Sequence, residues 1–272
     1  MKLLLPIFFL TISLVRAQGE SASYEVIYLS SSLYETTYRA PDKEFTTLYY
    51  SGQKAVYQKH NQRKKDSISL VRKLTNEDIG KYKCRERYAI EFNGNEITYY
   101  DELGNDEFQY TETLDHNWKL GSESKTLKGY KCRNATVSYG GRDWIAWYAT
   151  ELPINAGPYK FRGLPGLIVK ITDATNSYDF ELYSVKEKSN LTVTKSYHSK
   201  SFEERKKLTR DAFNKYRFYW NLLSFNERLA VMNGQPGATI SFTSSDGGTS
   251  PFDQPRNVNL ASTLNLIEID HE

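Results

Sequence analysis

The chain has 272 residues, and its 36 Lys and Arg against 33 Asp and Glu give a formal net charge of +3. This near balance argues against a nucleic-acid partner, because nucleic-acid-binding domains usually show a strong basic excess. The 21 Tyr and 13 Phe favour a β-rich fold, since aromatic side chains suit a pleated, half-buried surface.

An apolar run near the start of the chain predicts an export signal. Lys2 precedes the run 3–14, which is too short for a bilayer span of roughly 20 residues. Val15 and Ala17 stand at the two positions that a signal peptidase reads, so 1–17 is predicted to be a cleaved signal peptide. Its removal takes away two basic residues and lowers the net charge from +3 to +1. We therefore expect a periplasmic or secreted protein that is neither lipid-anchored nor membrane-spanning.

The remainder, 18–272, is predicted to form a single domain, because no Pro- or Ser-rich linker divides it and no fixed-period repeat occurs. Strand patterns come first in chain order. Residues 24–29 and 32–40 read as one long strand or as two in sequence. Residues 44–59 read as a hairpin that turns at Ser51-Gly52.

The clearest hairpin signal lies in 88–100, where Asn93-Gly94 stands between two alternating runs. Between these two hairpins, the basic segment 58–66 has polar residues around it. It is interpreted as a solvated hairpin loop rather than a phosphate-binding site. Antiparallel strands that follow one another along the chain are the expected result.

The central unit, 127–185, holds the most apolar strand candidate. Gly140-Gly141 predicts a turn, and the next strand places Trp144, Ala146 and Tyr148 on one face. The other face carries Ile145, Trp147 and Ala149. A strand that is apolar on both faces is expected to be covered on both.

The loop 157–166 is expected to fold over that strand. Pro165-Gly166 predicts a type II turn, in which Pro presets φ and Gly supplies a positive φ. Tyr159 and Phe161 give the loop apolar weight to pack inward, so it is expected to act as a rigid lid. A further strand follows, with Leu167, Val169 and Ile171 on one face.

One segment, 201–223, has a convincing helical pattern. Ser201 and Glu204 fit a capping box at its start. The apolar positions that recur at helical spacing, and that should dock on the sheet, are Leu208, Ala212, Tyr216, Tyr219 and Leu223.

After Met232 the composition favours an extended excursion, with one strand at 239–243 and a return to the sheet at 264–270. The predicted fold is mainly β (α+β). It consists of a single curved antiparallel sheet, half-barrel-like, with one main helix packed on it.

Four segments of the chain resemble the GLPGLI family of exported proteins of Gram-negative bacteria: WKL, GYKC-x-x-A, GR…WY…LPI and GPYKFRGLPGLI. The name-giving hexapeptide stands intact at 163–168, and the match is firm across 118–183. The positions expected to form the structural motif are Gly129, Cys132, Gly157, Pro158, Gly163, Leu164, Pro165, Gly166, Leu167 and Ile168.

The resemblance implies little about activity, because the function of the family is largely unassigned. It suggests an association with TonB-dependent outer-membrane transporters. The overall pattern is also similar to lipoprotein-carrier-like half-barrels, in which a curved sheet holds a lipophilic guest under a helix and loops. That likeness is one of fold and does not fix function.

No catalytic pattern stands out. His60, His116, His198 and His271 lie in no metal-ligand spacing with another His or Cys, and none adjoins a Gly-flanked Ser. His60 and His271 are expected to be solvated. Carboxylate pairs lie beside predicted turns or a helix start, where solvation explains them. We therefore expect no catalytic residue, no bound metal and no cofactor.

The leading prediction is a non-catalytic envelope protein with a binding or transport-accessory role. Its partner would be an outer-membrane TonB-dependent transporter or a small hydrophobic or peptide ligand, bound on the concave sheet face under the 157–166 loop. The candidate ligand-binding residues are Arg142, Trp144, Trp147, Tyr148, Tyr159, Phe161 and Arg162.

Three alternatives stay open. In the first, these side chains are simply the core, and the protein is a structural or interaction scaffold. The second is an uncharacterised hydrolase, which would require a cleft with a polar pair of perturbed pKa. The third is a metal-handling accessory, for which two Met, four His and two Cys are thin material.

The two cysteines, Cys84 and Cys132, both lie in strand-like contexts. An oxidising compartment would favour a bridge between them. Two buried thiols are the preferred interpretation, since bridged Cα atoms would have to lie within about 7 Å of one another.

Overall fold

The computed structural model describes residues 23–33, 41–69, 71–84, 87–189, 205–223, 225–233 and 268. Within these ranges the chain forms one 12-stranded sheet and four helices. No helix among the described residues is both long and apolar enough to cross a membrane.

The strands alternate with short turns along most of the chain. They are β1 Ser23–Ser32, β2 Asp42–Ser51, β3 Lys54–Lys59, β4 Ala89–Asn93, β5 Glu96–Leu103, β6 Asp106–Thr113, β7 Lys119–Leu127, β8 Tyr130–Tyr139, β9 Arg142–Ala149, β10 Leu167–Asp173, β11 Tyr178–Lys188 and β12 Lys206–Lys207. The helices are α1 His60–Ser69, α2 Asn76–Lys81, α3 Arg210–Leu222 and α4 Phe225–Met232.

The strand order across the sheet is β12-β6-β5-β4-β3-β2-β1-β11-β10-β9-β8-β7. The mainly β class is therefore confirmed. The predicted antiparallel sheet is also confirmed, with one exception among the described strands: the two-residue β12 pairs with β6 in parallel. This short pairing closes one end of the sheet, while β7 lies at the other end with most of its side chains exposed.

The predicted hairpins form around two-residue turns. β2 and β3 join at Gly52-Gln53, and β4 and β5 join at Gly94-Asn95, each one residue later than the pattern suggested. β8 and β9 join at Gly140-Gly141, where both glycines have positive φ, as the tight turns of hairpins require.

The basic segment 58–66 is not a solvated loop. β3 ends at Lys59, and α1 then buries the side chains of Gln62, Lys65 and Asp66. Gln62 and Asp66 lie one turn apart and hydrogen-bond at 2.7 Å, which lets polar groups be buried without an apolar stripe. His60 is half-buried rather than solvated, with Nδ1 2.8 Å from Thr47 Oγ1.

The sheet curls until distant strands meet. β6 and β8 stand nine positions apart in the strand order, which would separate them by roughly 40 Å in a flat sheet. Nevertheless, the Tyr139 hydroxyl donates to Glu112 Oε1 at 3.2 Å. Residues from both halves of the sheet therefore face one shared interior.

α3 starts later than the sequence predicted. Its N-cap is Thr209, whose side chain accepts from the Ala212 amide, and 206–207 is extended as β12. Ser201 and Glu204, the predicted capping box, lie outside the described residues.

The face of α3 that docks on the sheet also differs from the prediction. Phe213, Tyr216 and Trp220 are buried, and the Phe213 ring lies 5.5–5.9 Å from Phe108 and Tyr110. Tyr216 and Leu223 are buried as expected, whereas Ala212 and Tyr219 are only half-buried and Leu208 precedes the helix. The larger rings, together with buried Asn214 and Arg217, turn the helix away from the predicted stripe.

β9 is covered along one face, whereas its other face is buried only at Ala149, so the prediction of cover on both faces holds only in part. Trp144, Ala146 and Tyr148 are buried, but Ile145 on the other face is 39% exposed. Trp147 is half-buried beneath the Lys125 ammonium, which lies 3.7 Å from the ring centroid. This cation–π contact takes the place of a second protein layer.

Both cysteines are free thiols, as preferred from the sequence. Cys132 is buried on β8, and burial raises the pKa of its thiol. Cys84 is half-buried, and its thiol lies 3.4 Å from Gln62 Oε1. The strands predicted at 239–243 and 264–270 lie outside the described residues, apart from Glu268.

Candidate ligand-binding site

The connection between β9 and β10 folds back on itself before the chain re-enters the sheet. Leu167 donates its amide to the Leu152 carbonyl at 3.1 Å, and Ile168 donates to Ala156 at 3.2 Å. These bonds fix the 157–166 loop at both ends, so its side chains are held in place by the backbone.

The Pro165-Gly166 turn is not of type II. The Gly166 amide donates to the Leu164 carbonyl at 2.8 Å, which makes a three-residue turn around Pro165. Glycine is needed at 166 for a close approach: a Cβ there would lie 2.2 Å from the carbonyl oxygen of Ala149. The loop therefore rests directly against the end of β9.

The aromatic side chains of the 157–166 loop pack against the concave face of the sheet. Phe161 is fully buried, and its ring lies 4.7 Å from that of Trp144. Tyr159 lies edge-on to Tyr88 at 6.0 Å and to Tyr99 at 6.4 Å. The loop thus covers the shared interior that the curl of the sheet creates.

Two rings just before β7 hold the loop from the side. His116 Nε2 lies 3.0 Å from the Lys160 carbonyl, and Trp118 Nε1 donates to the Arg162 carbonyl at 2.7 Å. Burial, followed by the positive charges of Lys160 and Arg162, lowers the pKa of His116. A neutral imidazole that positions the loop backbone is the role this geometry gives His116.

A buried ion cluster lies beneath the loop. Lys160 is 0% exposed, and its ammonium lies 2.6 Å from Glu268 Oε1 and 2.5 Å from Glu112 Oε1. Its Nζ also donates to the Tyr110 hydroxyl at 2.8 Å. Four rings surround the ammonium at 5.0–5.7 Å from their centroids: Tyr99, Tyr110, Tyr139 and Tyr159.

Glu268 is held by four donors. Lys160 and the Tyr159 hydroxyl meet Oε1, the latter at 2.5 Å. Arg210 Nε and Asn214 Nδ2 meet Oε2 at 2.8 and 3.2 Å. These donors come from the 157–166 loop and from α3, so both elements close around one carboxylate.

The environment keeps this carboxylate ionised. Burial alone would raise the pKa of Glu268, but the charges of Lys160, Arg210 and Arg217 hold it well below its usual range. Burial, and then the Glu268 charge, raises the pKa of Tyr159 well above its ordinary value. The tyrosines therefore stay neutral and serve as hydrogen-bonding groups.

Two polar side chains beside Glu268 have unused capacity. Arg217 is 7% exposed, and its Nη1 lies 3.5 Å from the Tyr99 hydroxyl. Its Nε and Nη2, as well as Asn214 Oδ1, have no hydrogen-bond partner among the described residues. We call the whole assembly the Lys160 cluster, and its members are Tyr110, Glu112, Tyr159, Lys160, Arg210, Asn214, Arg217 and Glu268.

The structure brings together only some of the candidate residues from the sequence. Tyr159 belongs to the Lys160 cluster, and Phe161 packs on Trp144 beside it. Tyr148 is buried on the same face of β9, and Trp147 lies on the opposite face.

The two candidate arginines have other contacts. Arg142 pairs with Asp173 at 3.0 Å, and Asp173 in turn accepts the Tyr178 amide in the β10–β11 turn. Arg162 donates to the Gly94 carbonyl and lies over the Phe92 ring, with its guanidinium carbon 5.5 Å from the centroid. Both guanidinium groups therefore hold strands and turns together.

The sequence reasoning missed Lys160 and its charged partners. Lys160 stands within the quoted stretch, between the chosen Tyr159 and Phe161, and could have been found as a charge inside an inward-facing loop. Glu268 interrupts the apolar alternation of 264–270, which is a weaker signal of the same kind. Among the described residues, no group of three His, Cys, Asp or Glu is placed to hold a metal ion.

One family model matches the centre of this site. It is described as "Protein of unknown function (Porph_ging)" and matches residues 140–170, which include β9, the 157–166 loop and the start of β10. No curated protein sequence gives a significant match.

Two crystal forms of PNGF-II share the fold with this chain at low identity. PNGF-II in a P21 crystal form has a TM-score of 0.51 at 18% identity over 72% of this chain. Its C2 form has a TM-score of 0.50 at 18% identity over 74%. This chain spans only 33% of PNGF-II in either form. The LolA superfamily protein NE2245 from Nitrosomonas europaea has a TM-score of 0.30 at 10% identity, over 66% of this chain and 93% of that one.

Proposed function

We propose that this protein is an exported, non-catalytic binding protein of the cell envelope, with the Lys160 cluster as its ligand-facing site. The observation that carries the proposal is the cluster itself, in which Lys160 and Glu268 are buried together under a loop. Well-packed apolar residues are often as stabilising as a buried ion pair, so stability alone does not account for this arrangement. Local departures from apolar packing are typical of functional sites.

The sequence supports the cellular setting. The hexapeptide at 163–168 resembles the name-giving motif of the GLPGLI family, and the family-model match at 140–170 overlaps this segment. On the same resemblance we propose a half-barrel that works with an outer-membrane TonB-dependent transporter. Export is supported by the signal-peptide pattern of 1–17.

A second candidate is an interaction scaffold with a filled core. Trp144, Tyr148 and Phe161 are each at most 1% exposed, and the Phe161 ring packs directly on Trp144. This packing favours the scaffold, whereas the unpartnered nitrogens of Arg217 favour a ligand.

Native mass spectrometry of protein purified from its own envelope fraction tests the proposal. A bound ligand should appear as added mass, and this mass should be lost in a Lys160→Met variant. Lys131→Met, at an exposed position on β8, should retain it. Bare polypeptide mass for the wild type in every preparation would support the scaffold instead. In the same samples, a mature chain that begins at Gln18 would establish cleavage after Ala17.

A further inference from the structure

We propose that the Lys160 cluster is a receptor for a glutamate carboxylate of an acidic peptide, and that Glu268 is its built-in occupant. This inference deepens the proposed function and rests on it. It names the class of ligand, and it states that this ligand competes with Glu268 for the site.

The donors described around Glu268 come from two distant parts of the fold. Tyr159 and Lys160 belong to the loop, and Arg210 and Asn214 belong to α3. Each carboxylate oxygen accepts from two of them. The Glu268 side chain is therefore bound as a ligand would be, by groups that the rest of the fold positions.

The charge balance of the cluster requires an anion. With Glu268 in place, three cations face three carboxylates: Lys160, Arg210 and Arg217 against Glu112, Glu268 and the buried Asp101. Without Glu268, the three cations would face only Glu112 and Asp101, and one positive charge would lack a counter-charge in a buried site. An uncompensated buried charge is strongly unfavourable, so an emptied site should take up another carboxylate.

The unused polar groups indicate what carries that carboxylate. Arg217 Nε and Nη2 need acceptors, whereas Asn214 Oδ1 needs a donor. A peptide backbone supplies both, through its carbonyl oxygens and amide N–H groups. A fatty acid or inorganic anion supplies acceptors but no N–H donor. This pattern of unused groups therefore favours a peptide. The tyrosine rings around the Lys160 ammonium would pack well against apolar residues next to the glutamate of that peptide.

Competition with Glu268 follows from the shared chemistry. Glu268 belongs to the same chain, so its binding is intramolecular and a free peptide competes at a disadvantage. A partner that presents a glutamate between apolar residues would bind in trans only when it displaces Glu268. Glu268 thus sets the affinity that a partner peptide needs in order to occupy the site.

The test uses the full chain and a labelled synthetic peptide, LNLIEID, which reproduces 264–270. Glu268→Ala empties the carboxylate position, and we expect it to bind the peptide about tenfold or more tightly than the wild type. A peptide with Gln in place of its Glu should bind this variant about tenfold or more weakly. Glu123→Ala, at an exposed position on β7, is the matched control and should behave as the wild type.

The proposal would be overturned if Glu268→Ala bound the two peptides with equal affinity. It would also be overturned if this variant bound neither peptide. Tighter binding of octanoate than of the acidic peptide would overturn the peptide assignment. If Glu268→Ala does not fold, Glu268→Gln is used instead, because it keeps the shape of the side chain. If Glu268→Gln does not prefer the acidic peptide over the Gln peptide, the proposal is likewise overturned. Failure of all peptide binding, together with a co-purified ligand mass, would reject this inference and leave the proposed function standing.

Discussion

Lys160 and Glu268 lie 108 positions apart in the chain, yet their charged atoms meet at 2.6 Å in the interior of the protein. Both side chains are almost wholly excluded from solvent. Neither charge can be removed without leaving the other buried. Stability, pH response and ligand binding should therefore all depend on this pair.

Removal of one partner should be more damaging than removal of both. Lys160→Met leaves Glu112 and Glu268 without their ammonium, and we expect a loss of about 3–5 kcal/mol in the free energy of unfolding. A double variant, Lys160→Met with Glu268→Leu, should recover part of that loss. Denaturant unfolding of both variants and the exposed control Lys131→Met measures this. Additive losses in the double variant would show that the pair is not coupled.

Acid should destabilise the protein through Glu268. Its pKa is lower in the folded protein than in the unfolded chain, so the unfolded state takes up its proton first as the pH falls. The contribution is fully present above the unfolded value, about 4.3, and declines below it towards the folded pKa. Unfolding titrations from pH 6 to pH 2 should show a shallower decline for Glu268→Gln. Identical slopes for variant and wild type would contradict the assignment.

A methyl group at 166 should disturb the loop. Gly166→Ala places a Cβ 2.2 Å from the Ala149 carbonyl oxygen, so the backbone must shift, and we expect a loss of about 1 kcal/mol or more. Gly80→Ala is the control, because it lies in α2 with open space around its Cβ and should stabilise slightly. Thermal unfolding compares the two; a Gly166→Ala variant with unchanged melting temperature would refute the close approach.

The docking of α3 should depend on Phe213. This ring is fully buried against Phe108 and Tyr110, so Phe213→Ala should lower the free energy of unfolding by about 3–5 kcal/mol. Leu208→Ala should have a smaller effect, because Leu208 precedes the helix and is only half-buried. Lys215→Ala, on the exposed side, should be neutral. A larger effect at Leu208 than at Phe213 would restore the face predicted from the sequence.

Both thiols should react without prior reduction. Alkylation of the unfolded, unreduced protein should add two labels, one at Cys84 and one at Cys132, because neither thiol is bridged. Mass spectrometry counts the labels directly. Labelling that appears only after treatment with a reductant would mean that a disulfide forms.

Local chemistry explains what could be predicted. The turns at Gly52, Gly94 and Gly140 were found because a two-residue hairpin needs positive φ, a property visible within four residues of sequence. α1 was missed because HNQRKKDSIS has no apolar stripe, and contacts between polar side chains hold it in place.

The site was harder to find because its partners are distant in sequence. Glu112 lies 48 positions before Lys160, and Glu268 lies 108 positions after it, so only the folded sheet brings them together. A lysine in a loop is ordinarily expected to be exposed to solvent. Trp144 and Phe161, two of the candidate ligand-binding residues, are both buried and pack on each other.

The two outermost strands have a consequence for how copies of this protein meet one another. An open sheet exposes unpaired N–H and C=O groups along its rim, where another chain could add and start a fibre. β7 carries Lys119 and Lys125 and loses regular register between Leu120 and Ser124, which discourages such addition. The opposite rim is shielded by β12, made of two lysines, Lys206 and Lys207. Among the described strands, the charged side chains and irregular pairing of β7, and the short charged β12 with its Lys206–Asp106 pair, should therefore disfavour edge-to-edge joining of sheets.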